Sequence, residues 1–150
     1  MSERIQITRR LEFDAGHRIP DHASQCRHLH GHRYAIEVTV DGPVHDTPGQ
    51  PDNGMVLDFA DVKALIRDTV VDPWDHAFLA WREDHVVLEM LAKIPGHKTV
   101  VLDAVPTAEN MAAQAYRMLK AALHARYGDT LRLARVRLYE TPNCWSDVVR

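Results

Sequence analysis

At 150 residues and 17.1 kDa the chain has the size of one domain, which can bury roughly 68–70% of its unfolded surface. Its 45% hydrophobic and 26% charged composition excludes a disordered or fibrous chain. A net charge of -3 excludes duplex nucleic acid as the main partner, leaving small molecules and other proteins. No apolar run approaches the ~18 residues of a membrane span. The N-terminus lacks the apolar core of a signal peptide, so a cytoplasmic protein is expected.

Residues 4–17 alternate, with Ile5, Ile7, Leu11, Phe13 and Ala15 on odd positions, and predict a half-buried strand. Residues 30–40 repeat the pattern on even positions through Tyr34, Ile36, Val38 and Val40, and this second strand ends at Asp41-Gly42-Pro43. The stretch 43–54, with three prolines and two glycines, is a loop. Asp58 caps a helix carrying Val62, Leu65, Ile66 and Val70 on one face, closed by Pro73. A loop with Trp74-Asp75-His76 follows, then a short helix over 83–92 and a short buried strand over 99–102. Thr107 caps a long helix with Met111, Ala115, Leu119 and Leu123 on its apolar face, ended by Gly128. Residues 131–140 form a last clear strand, and 143–149 can add an edge. The order predicts an α+β fold, an antiparallel sheet with helices on one face.

Histidine is the abnormal entry in the composition. Five of the ten, His17, His22, His28, His30 and His32, fall within residues 17–32, where the chain's own frequency would place about one. On a strand, residues i and i+2 face the same way about 7 Å apart, so His30 and His32 can converge on one ion. Both share the inward parity of Tyr34 and Ile36, and His17 shares that of Phe13 and Ala15. Three imidazoles from neighbouring strands make a zinc site with one position open, where an unpartnered buried ring would otherwise be costly.

Cys26 lies four residues before His30 and reads as a fourth ligand, a buried apolar group or a catalytic thiol ionised by its neighbours. Two cysteines are too few for a disulfide framework. Asp75-His76 pairs a carboxylate with an imidazole suited to proton transfer. Glu140 has the inward parity of Val136 and Leu138, and an acid there is either paired or placed for a ligand.

These motifs, in order, are Phe13-Asp14-Ala15-Gly16-His17, Cys26 to His32, Gly54 to Phe59, Trp74-Asp75-His76, Pro106 to Asn110 and Tyr139-Glu140-Thr141. Together they resemble the 6-pyruvoyltetrahydropterin synthase and 6-carboxytetrahydropterin synthase family over nearly the whole chain. The three residues between Cys26 and His30 resemble the bacterial 6-carboxytetrahydropterin synthases of queuosine biosynthesis. The resemblance implies a tunnelling fold, with a four-stranded antiparallel sheet and two main helices, assembled through trimers into hexamers with active sites between subunits. By position it implies zinc on His17, His30 and His32, a catalytic thiol at Cys26, a proton relay at Asp75 and His76, and a pterin anchor at Glu140. Glu109 and Thr107 match positions that help to hold the pterin. Ala80, where these enzymes often carry Asn, and the tail Asn143-Cys144-Trp145-Ser146-Asp147 depart from the pattern.

The reaction implied is conversion of 7,8-dihydroneopterin triphosphate to 6-carboxy-5,6,7,8-tetrahydropterin, acetaldehyde and triphosphate. Competing readings are the pyruvoyl-forming synthase, an aldolase-like pterin enzyme and a non-catalytic zinc-binding module. The inward Glu140 and the Asp75-His76 pair favour an enzyme, since a storage site needs neither.

Overall fold

The longest strands carry the most regular alternation. In the computed structural model, which describes residues 3–150, β1 (Arg4–His17) and β2 (His30–Pro43) pair antiparallel along their full length, from Arg4↔Pro43 to His17↔His30. The period-two pattern puts Phe13, Ala15, Tyr34, Ile36, Val38 and Val40 on one buried face. Next to β2 lies β5 (Arg132–Thr141), also antiparallel, whose register skips one residue where Thr39 faces Arg135 and Val40 faces Leu133. That bulge resets the parity. Leu133 before it and Val136 and Leu138 after it are therefore all buried, and Glu140 inherits the same face. β6 (Cys144–Val149) completes the antiparallel run.

The sheet departs from the expected four antiparallel strands. The sheet has six strands in the order β4-β3-β1-β2-β5-β6, and it is mixed. β3 (Ala77–Trp81) pairs parallel with the end of β1 at Ala15↔Ala77 and Gly16↔Phe78, and β4 (Thr99–Leu102) pairs parallel with β3. Periodicity does not reveal β3, because Ala-Phe-Leu-Ala-Trp is a short, continuous apolar run without alternation.

Asp58 caps α1 (Phe59–Ile66), its carboxylate accepting from the Ala60 N–H at 2.8 Å. Pro73 does not close this helix directly. A π-helical turn, Arg67–Val71, widens the carbonyl ladder just before it, and the chain continues through the single turn α2 (Asp72–Trp74). α3 (His85–Ala92) is short, with Val87 and Leu91 in a small cluster with Ala80. α4 (Ala108–Tyr127) is capped by Thr107, whose hydroxyl accepts from the Asn110 N–H, and ends at Gly128 with φ 67°. Val62, Leu65 and Ile66 of α1 and Met111, Ala115 and Leu119 of α4 fill one core with the inner sheet face. Among the described residues no helix is long and apolar enough to cross a membrane.

Candidate metal centre and active site

The β1–β2 register that buries the core also assembles the histidines. His17 is opposite His30, and Ala15 is opposite His32, so the three rings lie 4.5, 5.1 and 5.0 Å apart, centroid to centroid. Glycine between His30 and His32 avoids a tight contact, since a Cβ on Gly31 would lie 3.0 Å from the Ala15 carbonyl oxygen. Glu140 enters from β5, with Oε1 2.9 Å from His32 Nε2 and 3.7 Å from His17 Nε2. One ligand atom from each of His17, His30, His32 and Glu140 lies within 4.8 Å of all the others.

Hydrogen bonds behind the rings orient them. His17 Nδ1 donates to the Pro106 carbonyl at 2.6 Å, and His30 Nδ1 donates to the His28 carbonyl at 2.6 Å. A carbonyl only accepts, so each Nδ1 carries the proton and each Nε2 presents a lone pair. Burial holds the His17 and His32 rings below the ordinary imidazole pKa, although the Glu140 carboxylate opposes the shift. His17 is 1% exposed, and Nε2 of both His17 and His32 is buried without a hydrogen-bond partner. The 2.9 Å approach of Glu140 to His32 Nε2 is an ion-pair contact, not an aligned hydrogen bond. Nε2 of His17 presents its lone pair to a carboxylate 3.7 Å away, an arrangement that a cation between them satisfies. A tetrahedral ion with bonds near 2.0–2.1 Å needs ligand atoms about 3.3 Å apart. The two Glu140 contacts bracket that figure, so the donor set fits a zinc-like ion.

Cys26 lies in a 3-10 turn (Gln25–Arg27), half-buried and unpaired with Cys144, its carbonyl accepting from the Ile19 N–H at 2.8 Å. Among the described residues the converging ligand set contains Glu140 and not Cys26.

Asp75 and His76 sit at the turn from α2 into β3. Asp75 Oδ1 accepts from the Asp14 N–H at 2.9 Å, while Oδ2 lies 2.8 Å from His76 Nδ1. The His76 N–H donates to the Asp14 carbonyl at 2.6 Å. These bonds lock the dyad to β1 and hold His76 at φ 60°, a left-handed conformation uncommon outside glycine. The Asp14 N–H foremost, and then His76, keep the Asp75 carboxyl below the usual carboxylate range. The His76 side chain is 77% exposed. It lines, with His30, His32, Arg33, Phe78 and His97, an open cleft of about 590 Å³, a volume suited to a small ligand.

The start of α4 closes on His17 through the Pro106 carbonyl. Thr107 commits its hydroxyl to the helix cap, and Glu109 stands exposed within the first turn.

Two contributors escape sequence reasoning. Tyr34 reads as core by parity and is fully buried, yet its hydroxyl has no partner. Its ring stacks on Phe13 and lies edge-on to His17 and His32, and burial, reinforced by Glu140 and Cys26, raises its pKa and keeps it protonated. The other is Asp84, 5% exposed, which holds Arg18, the residue after His17, through two hydrogen bonds of 2.7 and 2.6 Å. No motif links residues 66 positions apart.

Similarity to known proteins agrees with this geometry. The sequence model of the family described as 6-pyruvoyl tetrahydropterin synthase matches residues 6–150. The chain is similar to the 6-carboxy-5,6,7,8-tetrahydropterin synthase of Rickettsia bellii, with 36% identity over 146 residues, covering 96% of this chain and 99% of that protein. The protein of the same name from Haemophilus influenzae is 28% identical over 146 residues, covering 95% and 97%. Among solved structures, an uncharacterized protein from Wolinella succinogenes superposes with TM-score 0.76 at 23% identity, covering 99% of both chains. The 6-pyruvoyl tetrahydropterin synthase of Caenorhabditis elegans superposes with TM-score 0.69 at 25% identity, covering 99% and 97%. A family match over 145 consecutive positions that include every residue of the His17-His30-His32-Glu140 cluster leads to one conclusion: the chain belongs to the 6-pyruvoyl tetrahydropterin synthase family.

Proposed function

We propose that the protein is a zinc-dependent carbon–carbon lyase acting as a single domain over residues 1–150. It converts 7,8-dihydroneopterin triphosphate and water to 6-carboxy-5,6,7,8-tetrahydropterin, acetaldehyde and triphosphate. The observation that carries the reading is the convergence of three histidines, two with their proton fixed on Nδ1, on a buried point that lacks a hydrogen-bonding partner. The choice of product rests on the three-residue spacing between Cys26 and His30 and on the names of the Rickettsia and Haemophilus relatives. From the resemblance in that spacing we also assign the protein to queuosine biosynthesis, and we place it in the cytoplasm.

His17, His30 and His32 hold the ion. The chemistry a zinc ion supplies there is Lewis-acid polarisation, which makes a substrate hydroxyl more acidic. Cys26 and His76 transfer protons on opposite sides of the substrate side chain. Asp75 fixes the His76 ring by accepting from Nδ1, which leaves Nε2 as the exchanging nitrogen. Glu140 accepts the adjacent ring N–H and amino donors of the pterin, with Thr107 and Glu109 helping to hold the ring. The active unit is a homo-oligomer, hexameric, with active sites between subunits.

Incubating zinc-loaded protein with 7,8-dihydroneopterin triphosphate tests this reading, with products identified by mass. 6-Carboxytetrahydropterin and acetaldehyde are expected. 6-Pyruvoyltetrahydropterin would transfer the chain to the pyruvoyl-forming activity, and no turnover would leave a metal-binding module.

A further inference from the structure

We infer that Glu140 is an exchangeable fourth metal donor: it closes the three-histidine site while no pterin is bound and leaves it when the pterin ring arrives. This rests on the metal and pterin reading above and adds a coupling between the two ligands.

The geometry gives Glu140 two claims on one carboxylate. Its Oε1 already lies among the histidine nitrogens, 2.9 Å from His32 Nε2 and 3.7 Å from His17 Nε2, near the edge length of a tetrahedral zinc site. The side chain is also 23% exposed, whereas His17 is sealed at 1%, so the carboxylate forms the boundary between the ion and the surroundings. Nothing else holds it. No hydrogen bond to the Glu140 carboxylate is made by any described residue, in contrast with Asp75, whose two oxygens are both engaged. A carboxylate without an anchor can rotate away from the ion at little cost.

A bidentate pair with the two donors of a pterin ring uses both oxygens and removes them from the ion. The position vacated is the one a substrate hydroxyl requires. The three histidines stay where they are, since His17 and His30 are fixed from behind by the Pro106 and His28 carbonyls. Water is thereby kept from an open ion until the ring is in place. Thermodynamic linkage requires the effect to be mutual: ring binding weakens the hold on the metal, and the metal weakens ring binding by the same factor.

Cobalt(II) in place of zinc gives a visible spectrum that reports the donor set without turnover. The probes are cobalt(II) alone and unsubstituted pterin, which has the ring donors but no side-chain hydroxyl to reach the ion. Wild-type protein should bind cobalt(II) about tenfold or more tightly than Glu140→Gln, the scale for losing a supporting metal interaction, and with a different spectrum. Saturating pterin should shift the wild-type spectrum toward that of Glu140→Gln and lower the cobalt affinity. It should leave the Glu140→Gln spectrum unchanged. The pterin titration uses the unaltered protein, so it stands even if the variant folds poorly.

A wild-type spectrum that ignores bound pterin, or equal cobalt affinity and spectrum in the two proteins, would overturn the exchange. If His17→Ala, His30→Ala and His32→Ala abolish cobalt binding in the same series, only the exchange fails. Cobalt binding that survives all three histidine substitutions would overturn the metal reading and the exchange together.

Discussion

His17 shows how one side chain can be committed at both ends. Its Nδ1 is bonded to the Pro106 carbonyl and its Nε2 is buried without a partner, so the ring is costly unless a cation is present. His17→Ala is therefore expected to reduce zinc content from about one per chain to a small fraction, since two imidazoles make a poor site. Elemental analysis after gel filtration checks it. Cys26 lies outside the converging set, which favours the proposed proton-transfer role over that of a ligand. Cys26→Ala should keep near-normal zinc while turnover falls about 10²-fold or more, the usual scale for a lost proton-transfer group. Zinc and product are to be measured on the same preparation, and zinc lost with the thiol would make Cys26 a ligand. The histidines were legible because strand parity is a local property. The role of Glu140 beside them was not, because its distance to His32 depends on how β5 is set against β2.

At the scale of elements, the site depends on how the end of β1 is held. Asp84 caps α3 and grips Arg18 through both carboxylate oxygens, tying the helix to the residue after His17. Asp84→Ala should cost about 2–4 kcal/mol, because it leaves a half-buried guanidinium unpaired and removes a cap. Bonding to Arg18 pulls the Asp84 carboxyl below its ordinary value of 3.8. The stabilisation is thus fully present above that value and is lost as pH falls through the lowered one. Urea titrations should accordingly show the full wild-type advantage at pH 7 and a shrinking one in acid. A second clamp joins Asp75 and His76 to Asp14 of β1 through two bonds, and a third links the pair to each other. Asp75→Asn should reduce turnover with zinc content unchanged, and should alter the pH profile of turnover, since an amide can still fill the space but no longer stabilises the His76 imidazolium. Caps at Asp58 and Thr107 could be read directly from the chain, because a cap is a contact over two or three residues. The π turn before Pro73 could not, since a proline predicts a disruption without its form.

For the molecule as a whole, six strands form an open sheet whose outer strands, β4 and β6, each leave one edge unpaired among the described residues. Unpaired edges invite association, and the assembly proposed above covers them with further copies. Sedimentation at working concentration should give a homo-oligomer, with a hexamer expected. A monomer that retains full activity would rule this out.

The sequence by itself determined the α+β class, the long strands β1 and β2, the caps at Asp58 and Thr107 and the inward direction of His17, His30, His32 and Glu140. Each follows from periodicity or contacts between near neighbours along the chain, and periods of 2 and 3.6 residues are visible without a fold. Tertiary structure decided the rest. The parallel pairing of β3 with the end of β1, the clamp of Asp14 on the Asp75–His76 dyad and the grip of Asp84 on Arg18 join segments 61 to 66 positions apart. Such pairings are selected by which surfaces bury together, and that selection leaves no period in the chain. The orphaned hydroxyl of Tyr34 makes the same point, since its parity announces burial and only the packed molecule shows that no described residue answers it.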